Sequence, residues 1–128
     1  VLNLEGVCRF ILKERILSPK GYYQGSVSCG DYFDDLNNIE PNLDRNGLIQ
    51  KYSNFFKIKK LDIDKEVLAE TSNLQLLSTL AMLAPFNKID KQAILESANV
   101  MERINTLNSI LDLNTFQVVS NGKPNQLN

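Results

Sequence analysis

Apolar residues change their spacing near residue 41, and this change of period constrains the fold more than any other feature of the chain. Before it the pattern is strand-like. Cys8, Phe10 and Leu12 alternate with Arg9 and Lys13, the period-two signature of a half-buried strand. Apolar residues continue from Val1 through Ile16 and Leu17, so residues 1–17 read as one strand-like segment, with Gly6 marking a bulge or bend. Ser18-Pro19-Lys20-Gly21 is a turn signal, because Pro fixes one backbone angle and Gly accepts positive φ. Residues 22–27 read as the return strand of a hairpin. Residues 31–41, acidic and Asn-rich with a Pro at the end, read as a loop.

Beyond the change the period is helical. Leu48, Ile49, Tyr52, Phe55 and Phe56 fall on one face of an amphipathic helix whose first amides Asn42 or Asp44 can cap. Phe55 and Phe56 are core residues by this spacing. Asp64 can cap a short helix carrying Val67 and Leu68. Asn73 opens a strongly apolar helix that Pro85 helps to end, with Leu74, Leu77, Leu80, Ala81 and Ala84 on its core face. Leu76, Met82 and Leu83 widen its apolar stripe. Asn87 can cap a helix with Ile89, Ala93, Ile94 and Leu95 facing inward. Asn99 and Glu102 have capping-box spacing before a last helix that carries Val100, Ile104, Leu107 and Leu111 and runs to about Leu113.

The fold class is therefore α+β: a β-hairpin or partial β-sheet subdomain over residues 1–40, then a helical subdomain of four to five helices over residues 41–113. Residues 114–128 read as a frayed polar tail. Two strands alone are barely stable in water, so this hairpin needs further strands or a helix as cover. The chain opens without Met, directly in a strand-like pattern, and upstream residues are expected to supply the rest of that sheet.

Chemistry is constrained by what is missing. His is absent, which removes the commonest general base and metal ligand and makes a Ser-His-Asp or Cys-His pair impossible. No phosphate-loop, G-x-G-x-x-G or G-x-S-x-G pattern is present. Ser18 with Lys20 is the nearest approach to a Ser-Lys dyad, and it sits in an ordinary turn. Asp31, Asp34 and Asp35 lack the Gly and terminal Glu of a calcium loop and read as a solvated acidic loop. Cys8 and Cys29 lie in strand-like segments without metal-ligand spacing and read as small buried hydrophobes in a reducing compartment. No catalytic residue, metal or cofactor is expected. The net charge of −1 argues against nucleic acid and anionic lipid as partners, and Lys57, Lys59 and Lys60 read as a solvated helix end. No apolar run is long enough to span a membrane, and a cytoplasmic location is expected.

Four aromatic residues near the hairpin, Tyr22, Tyr23, Tyr32 and Phe33, are the candidates for contact with a polypeptide, since unfolded chains are recognised by apolar contact and by strand addition at a sheet edge. Arg9 reads either as a strand residue paired with Glu5 or Glu14, or as a clamp between sheet and helices. Arg103 follows the same logic, with Glu102 or Glu96 as partner.

Several of these segments, in order, resemble the Lon protease N-terminal (substrate-binding) domain, in particular its C-terminal part. Leu4-Glu5-Gly6-Val7-Cys8-Arg9-Phe10 is similar to the family's Leu-x-Gly-x-x-Arg-Phe strand, and Tyr23-Gln24-Gly25-Ser26-Val27 to the strand that follows. Asn73-Leu74-Gln75-Leu76-Leu77-Ser78 resembles its Leu-Ala-Asp helix start, with Leu76 where Asp is common. Asp90-Lys91-Gln92-Ala93-Ile94-Leu95-Glu96 and Val100-Met101-Glu102-Arg103-Ile104-Asn105-Thr106-Leu107 resemble its last two helical segments. The resemblance covers roughly residues 4–113. It implies a small β subdomain before a helical one, and a domain without catalysis of its own that selects unfolded or tagged polypeptides for ATP-dependent proteolysis and supports assembly. The ATPase and Ser-Lys peptidase of that family are not in this sequence. Two other readings stand beside it: a helical scaffold that only oligomerises, and a fragment of a larger ATP-dependent serine protease with its catalytic domains elsewhere.

Overall fold

A computed structural model of the chain describes residues 1–37, 39–62, 64, 68 and 70–121. The architecture is α+β: a two-stranded antiparallel sheet followed by helices. The chain divides into two units, Val1–Ile39 and Glu40–Asn128.

In the first unit, strand β1 (Ile11–Leu17) pairs with β2 (Tyr23–Ser28), and a 3₁₀ segment (Gly30–Asn37), kinked at Tyr32, follows. The tight turn forms as its residues dictate. Gly21 donates to the Ser18 carbonyl at 2.9 Å, Ser18 donates to the Tyr22 carbonyl at 2.8 Å, and Gly21 takes a φ of 82° that a side chain would resist. Pairing runs from Leu17↔Tyr23 to Ile11↔Ser28, with an irregularity between Leu12 and Glu14. The expected strand over residues 1–17 is thus shorter than its apolar pattern. Residues 1–10 have no ladder partner among the described residues, because the chain leaves β2 after Ser28 and turns into the 3₁₀ segment. The bulge falls at Lys13 and not at Gly6. The acidic stretch is also not a plain loop, since Gly30–Asn37 is 3₁₀.

The second unit holds helices α1 (Arg45–Ile58), α2 (Asn73–Leu83), α3 (Lys88–Glu96) and α4 (Val100–Asn121). Short polar side chains start each one by accepting an otherwise orphaned amide. Asp44 accepts from Gly47, Ser72 from Gln75, Asn87 from Asp90 and Asn99 from Glu102. Glu102 reaches back to the Ala98 amide, completing a reciprocal cap. At the end of α1, Lys60 is left-handed with φ 57°, while Lys60 and Leu61 donate to the carbonyls of Lys57 and Phe56. This is the Schellman arrangement, usually given to Gly.

The core gathers Leu48, Tyr52, Phe55 and Phe56 of α1, the Leu76, Leu77 and Leu80 run of α2, Ile94 of α3, and Ile104, Leu107 and Leu111 of α4. Phe86, between α2 and α3, stacks on Phe55 with centroids 5.8 Å apart. Each such residue contributes about 1.5–3 kcal/mol by leaving water. Phe55 and Phe56 are core, as their spacing predicts.

Asn73 opens α2 as expected, with Ser72 as its cap. Three expectations change here. Leu76 is fully buried, not a widening of the stripe, while Met82 and Leu83 are exposed. On α3 only Ile94 is buried; Ile89, Ala93 and Leu95 face solvent because a nine-residue helix packs along one narrow line. Helix α4 continues past Leu113 to Asn121, so residues 114–121 are no frayed tail. Asn114 and Thr115 carry it on by bonding the Ile110 and Leu111 carbonyls, and Asn114 also donates to Asp90. Of the short helix expected after Asp64, Val67 lies outside the described residues and Leu68 is buried; residues 122–128 of the expected tail also lie outside them.

The Tyr52 and Ser53 hydroxyls are buried with no hydrogen-bond partner among the described residues, and burial pushes the Tyr52 phenol far above its usual range. Tyr52→Phe keeps the ring contacts and removes an unpaired polar atom. Chemical denaturation should show its stability unchanged or raised by up to about 1 kcal/mol. Leu107→Ala should cost about 2–5 kcal/mol. A loss above about 2 kcal/mol in Tyr52→Phe would mean that the hydroxyl is bonded after all.

Candidate recognition surface

The register of the hairpin decides which side chains share a face. Paired residues point the same way, and successive pairs alternate. Leu12↔Val27, Arg15↔Gly25 and Leu17↔Tyr23 therefore share one face, while Glu14↔Ser26 and Ile16↔Gln24 share the other. The bulge at Lys13 is what unites the first group, because without it Leu12 and Arg15 would point to opposite sides. Two contacts agree with the arrangement. Arg15 lies over the Tyr23 ring, 3.6 Å from its centroid, and a Cβ added to Gly25 would stand 2.7 Å from the Leu12 methyl. Gly25 is thus the hollow that lets Leu12 lie flat across the sheet.

This apolar face is open to solvent. Leu12, Leu17, Tyr23 and Val27 are all exposed, and Tyr23 keeps 60% of its surface accessible. Each strand has its second edge unpaired, because the sheet has only two strands among the described residues. Of the aromatic candidates, Tyr22, Tyr23 and Phe33 are exposed. Tyr32 is not; it is buried, and its ring lies beneath the Arg9 guanidinium at 4.4 Å. The sequence pointed to the aromatics and missed Leu12, Leu17 and Val27, whose common face depends on a bulge that no residue type announces.

Arg9 anchors the first unit. Its Nε and Nη2 donate to the two oxygens of Asp35 at 2.8 Å, and its backbone amide adds a third bond at 3.0 Å. Both side chains are mostly shielded from water. The fork matches the carboxylate bidentately while the flat face stacks on Tyr32. Bonding to Asp35 raises the Arg9 pKa despite its partial burial. Asp35, from the stretch read as solvated acidic loop, is thus a partner of Arg9 that the sequence reading did not name beside Glu5 and Glu14. Arg103, half-buried on α4, donates its amide to the Asn99 carbonyl. Of its expected partners, Glu102 accepts from the Ala98 amide and Glu96 from the Gln92 side chain.

In the second unit Arg45 does similar organising work. It donates to the Asn73 side chain at 3.0 Å, to Thr71 at 3.3 Å and to the Leu68 carbonyl. Asn73 in turn donates to the Pro41 carbonyl and to Glu40. Lys51 and Asp112 form an exposed ion pair of small energetic consequence. Ser18 accepts the Lys20 amide within the turn, and no group of three metal-ligating side chains occurs among the described residues. No helix among the described residues is long and apolar enough to cross a membrane.

Removing Asp35 leaves a shielded guanidinium without its fork. Asp35→Ala should destabilise the first unit by about 2–3 kcal/mol, measured by amide hydrogen exchange across the hairpin and the 3₁₀ segment. Arg9→Lys should show most of the same loss, because an ammonium cannot make the bidentate contact. Equal exchange in Asp35→Ala and the unaltered chain would contradict this reading. Against protein-family models, curated proteins and solved structures alike, the chain shows no match.

Proposed function

We propose that this chain is a non-catalytic recognition domain that takes extended, apolar stretches of unfolded or tagged polypeptide, the role that the resemblance to the Lon N-terminal domain implies. The observation that carries the reading is the outward apolar face of a two-stranded sheet with unpaired edges. A third strand added at either edge satisfies the outer N–H and C=O groups, and every second side chain of the guest falls beside Leu12, Val27, Leu17 or Tyr23. Main-chain bonding makes this affinity tolerant of sequence. The apolar face selects for chains that expose what folded proteins bury. On this reading Tyr22, Tyr23 and Phe33 contact the guest, while Tyr32, Arg9 and Asp35 hold the platform. Delivery to an ATP-dependent protease, with ATPase and peptidase supplied outside this chain, follows from the same resemblance.

A second reading, a scaffold that self-associates through its helices, is favoured by a separate observation. Met82, Ile89 and Phe116 of the second unit keep 75%, 80% and 69% of their surface exposed.

Fluorescence polarisation of a labelled, permanently unfolded polypeptide against the full chain separates the two. The recognition reading predicts saturable binding in the micromolar range, competed by other unfolded chains and not by folded ones. Val27→Glu places a charge in the apolar face and should weaken binding at least about tenfold, a cost of about 1.4 kcal/mol. Met82→Gln should leave it unchanged. Absence of binding at millimolar concentrations, with a mass that rises with concentration and falls back in Met82→Gln, would replace recognition with the scaffold reading.

A further inference from the structure

Cys8 and Cys29 are the only cysteines of the chain, and both are free and half-buried. The segments that carry them are not strands, contrary to their alternation in sequence. Cys8 precedes β1 and Cys29 follows β2. One residue ties the two positions together. The Cys8 thiol donates to the Tyr32 carbonyl at 3.4 Å, and the Tyr32 amide donates to the Cys29 carbonyl at 2.9 Å. Cys29 directly follows Ser28, the last residue of the ladder and the partner of Ile11. Cys8 and Cys29 thus both sit at the open mouth of the hairpin, opposite the tight turn and joined through Tyr32.

We propose that Cys8 and Cys29 form a reversible disulfide that clasps the open end of the hairpin, with small disulfides of the glutathione type as the oxidant. One cysteine thiolate attacks the small disulfide, forms a mixed disulfide and expels one small thiolate. The neighbouring cysteine thiolate then attacks the protein sulfur of that mixed disulfide and expels the second small thiolate. Each cysteine gives up one proton, the two sulfurs are oxidised together, and one small disulfide is reduced to two thiols.

The surroundings fit a pair that rests reduced. Desolvation pushes the Cys8 thiol up, and Cys29 and Asp35 push it the same way against the pull of Arg9. A thiol held protonated attacks a disulfide slowly, so the pair rests reduced until the small disulfide is abundant. The consequence follows from the hairpin itself. A two-stranded sheet opens easily, and a covalent link between its ends removes open conformations from the ensemble. The clasp would control how firmly the hairpin is formed, and it stands whatever the hairpin binds.

The test equilibrates the full chain in buffers of reduced and oxidised glutathione and reads intact mass, a peptide map and amide hydrogen exchange. The expected product is a monomer lighter by two hydrogens, with the peptides carrying Cys8 and Cys29 joined. Hairpin amides should exchange at least about tenfold more slowly, and dithiothreitol should reverse both changes. Cys29→Ser should give only a glutathione adduct on Cys8, with no slowing of exchange. The proposal is overturned by stable glutathione adducts on both cysteines of the unaltered chain, by covalent dimers, or by a disulfide that leaves hairpin exchange unchanged. The mass and map are measured on the unaltered chain, so they decide the matter even where a variant fails to fold.

Discussion

A sheet of two strands cannot bury its own faces, and the first unit is organised around that constraint. Among the described residues each strand has one satisfied edge and one open edge, and side chains on both faces meet solvent. Hydrogen bonds across the ladder are worth only about 1 kcal/mol each after the cost of leaving water, so pairing alone does not hold such an element. What fixes it here is the Arg9 node beside it. A guanidinium forked onto Asp35 and stacked on Tyr32 joins the segment before β1 to the segment after β2, at the end where the hairpin would otherwise fray. The tight turn closes one end and this node the other. Leu12, Leu17, Tyr23 and Val27 are left on a shared outward face, apolar enough to favour a partner and held firmly enough to present one.

The second unit needs no such device. Its helices bury a continuous core in which Phe55, Phe56, Tyr52 and Phe86 meet edge to face, tilted or stacked around the leucines of α2 and α4. The starts of α1 to α4 are each satisfied by a short polar side chain, and Arg45 binds the stretch around Leu68 and Thr71 to the beginning of α1. The polar flaws in this core are the Tyr52 and Ser53 hydroxyls, which lack partners among the described residues. This division of labour suits a recognition domain: one unit stable by burial, the other exposing apolar surface that burial would hide.

Helices were legible in the sequence wherever a periodic apolar face met a capping residue. Leu48, Tyr52, Phe55 and Phe56 announce α1, and Asn87 and Asn99 mark the starts of α3 and α4. Features set by contacts distant in the chain were not legible. Arg9 and Asp35 lie 26 residues apart, and neither residue type names its partner. Tyr32 looks as available as Phe33 until Arg9 is placed over its ring. The shared face of Leu12 and Arg15 exists only because of a bulge at Lys13, while Gly6, the apparent bulge signal, lies outside any strand. Helix α4 outlasts its core-facing spacing through Asn114 and Thr115, which look like tail residues in sequence but bond back to the preceding turn. The motifs that resemble the Lon domain fall on both units, yet the feature that would perform recognition comes from register and exposure rather than from those motifs.

If an extended chain docks on an open edge of the hairpin, beside its outward apolar face, the outer amides of that edge must become bonded. Amide hydrogen exchange followed residue by residue, with and without a saturating unfolded polypeptide, reads this bonding. New protection is expected along the outer edge of β1 or β2, with the helices of the second unit unchanged. Protection confined to the exposed ends of α2, α3 and α4, with hairpin amides exchanging as before, would contradict docking on the hairpin.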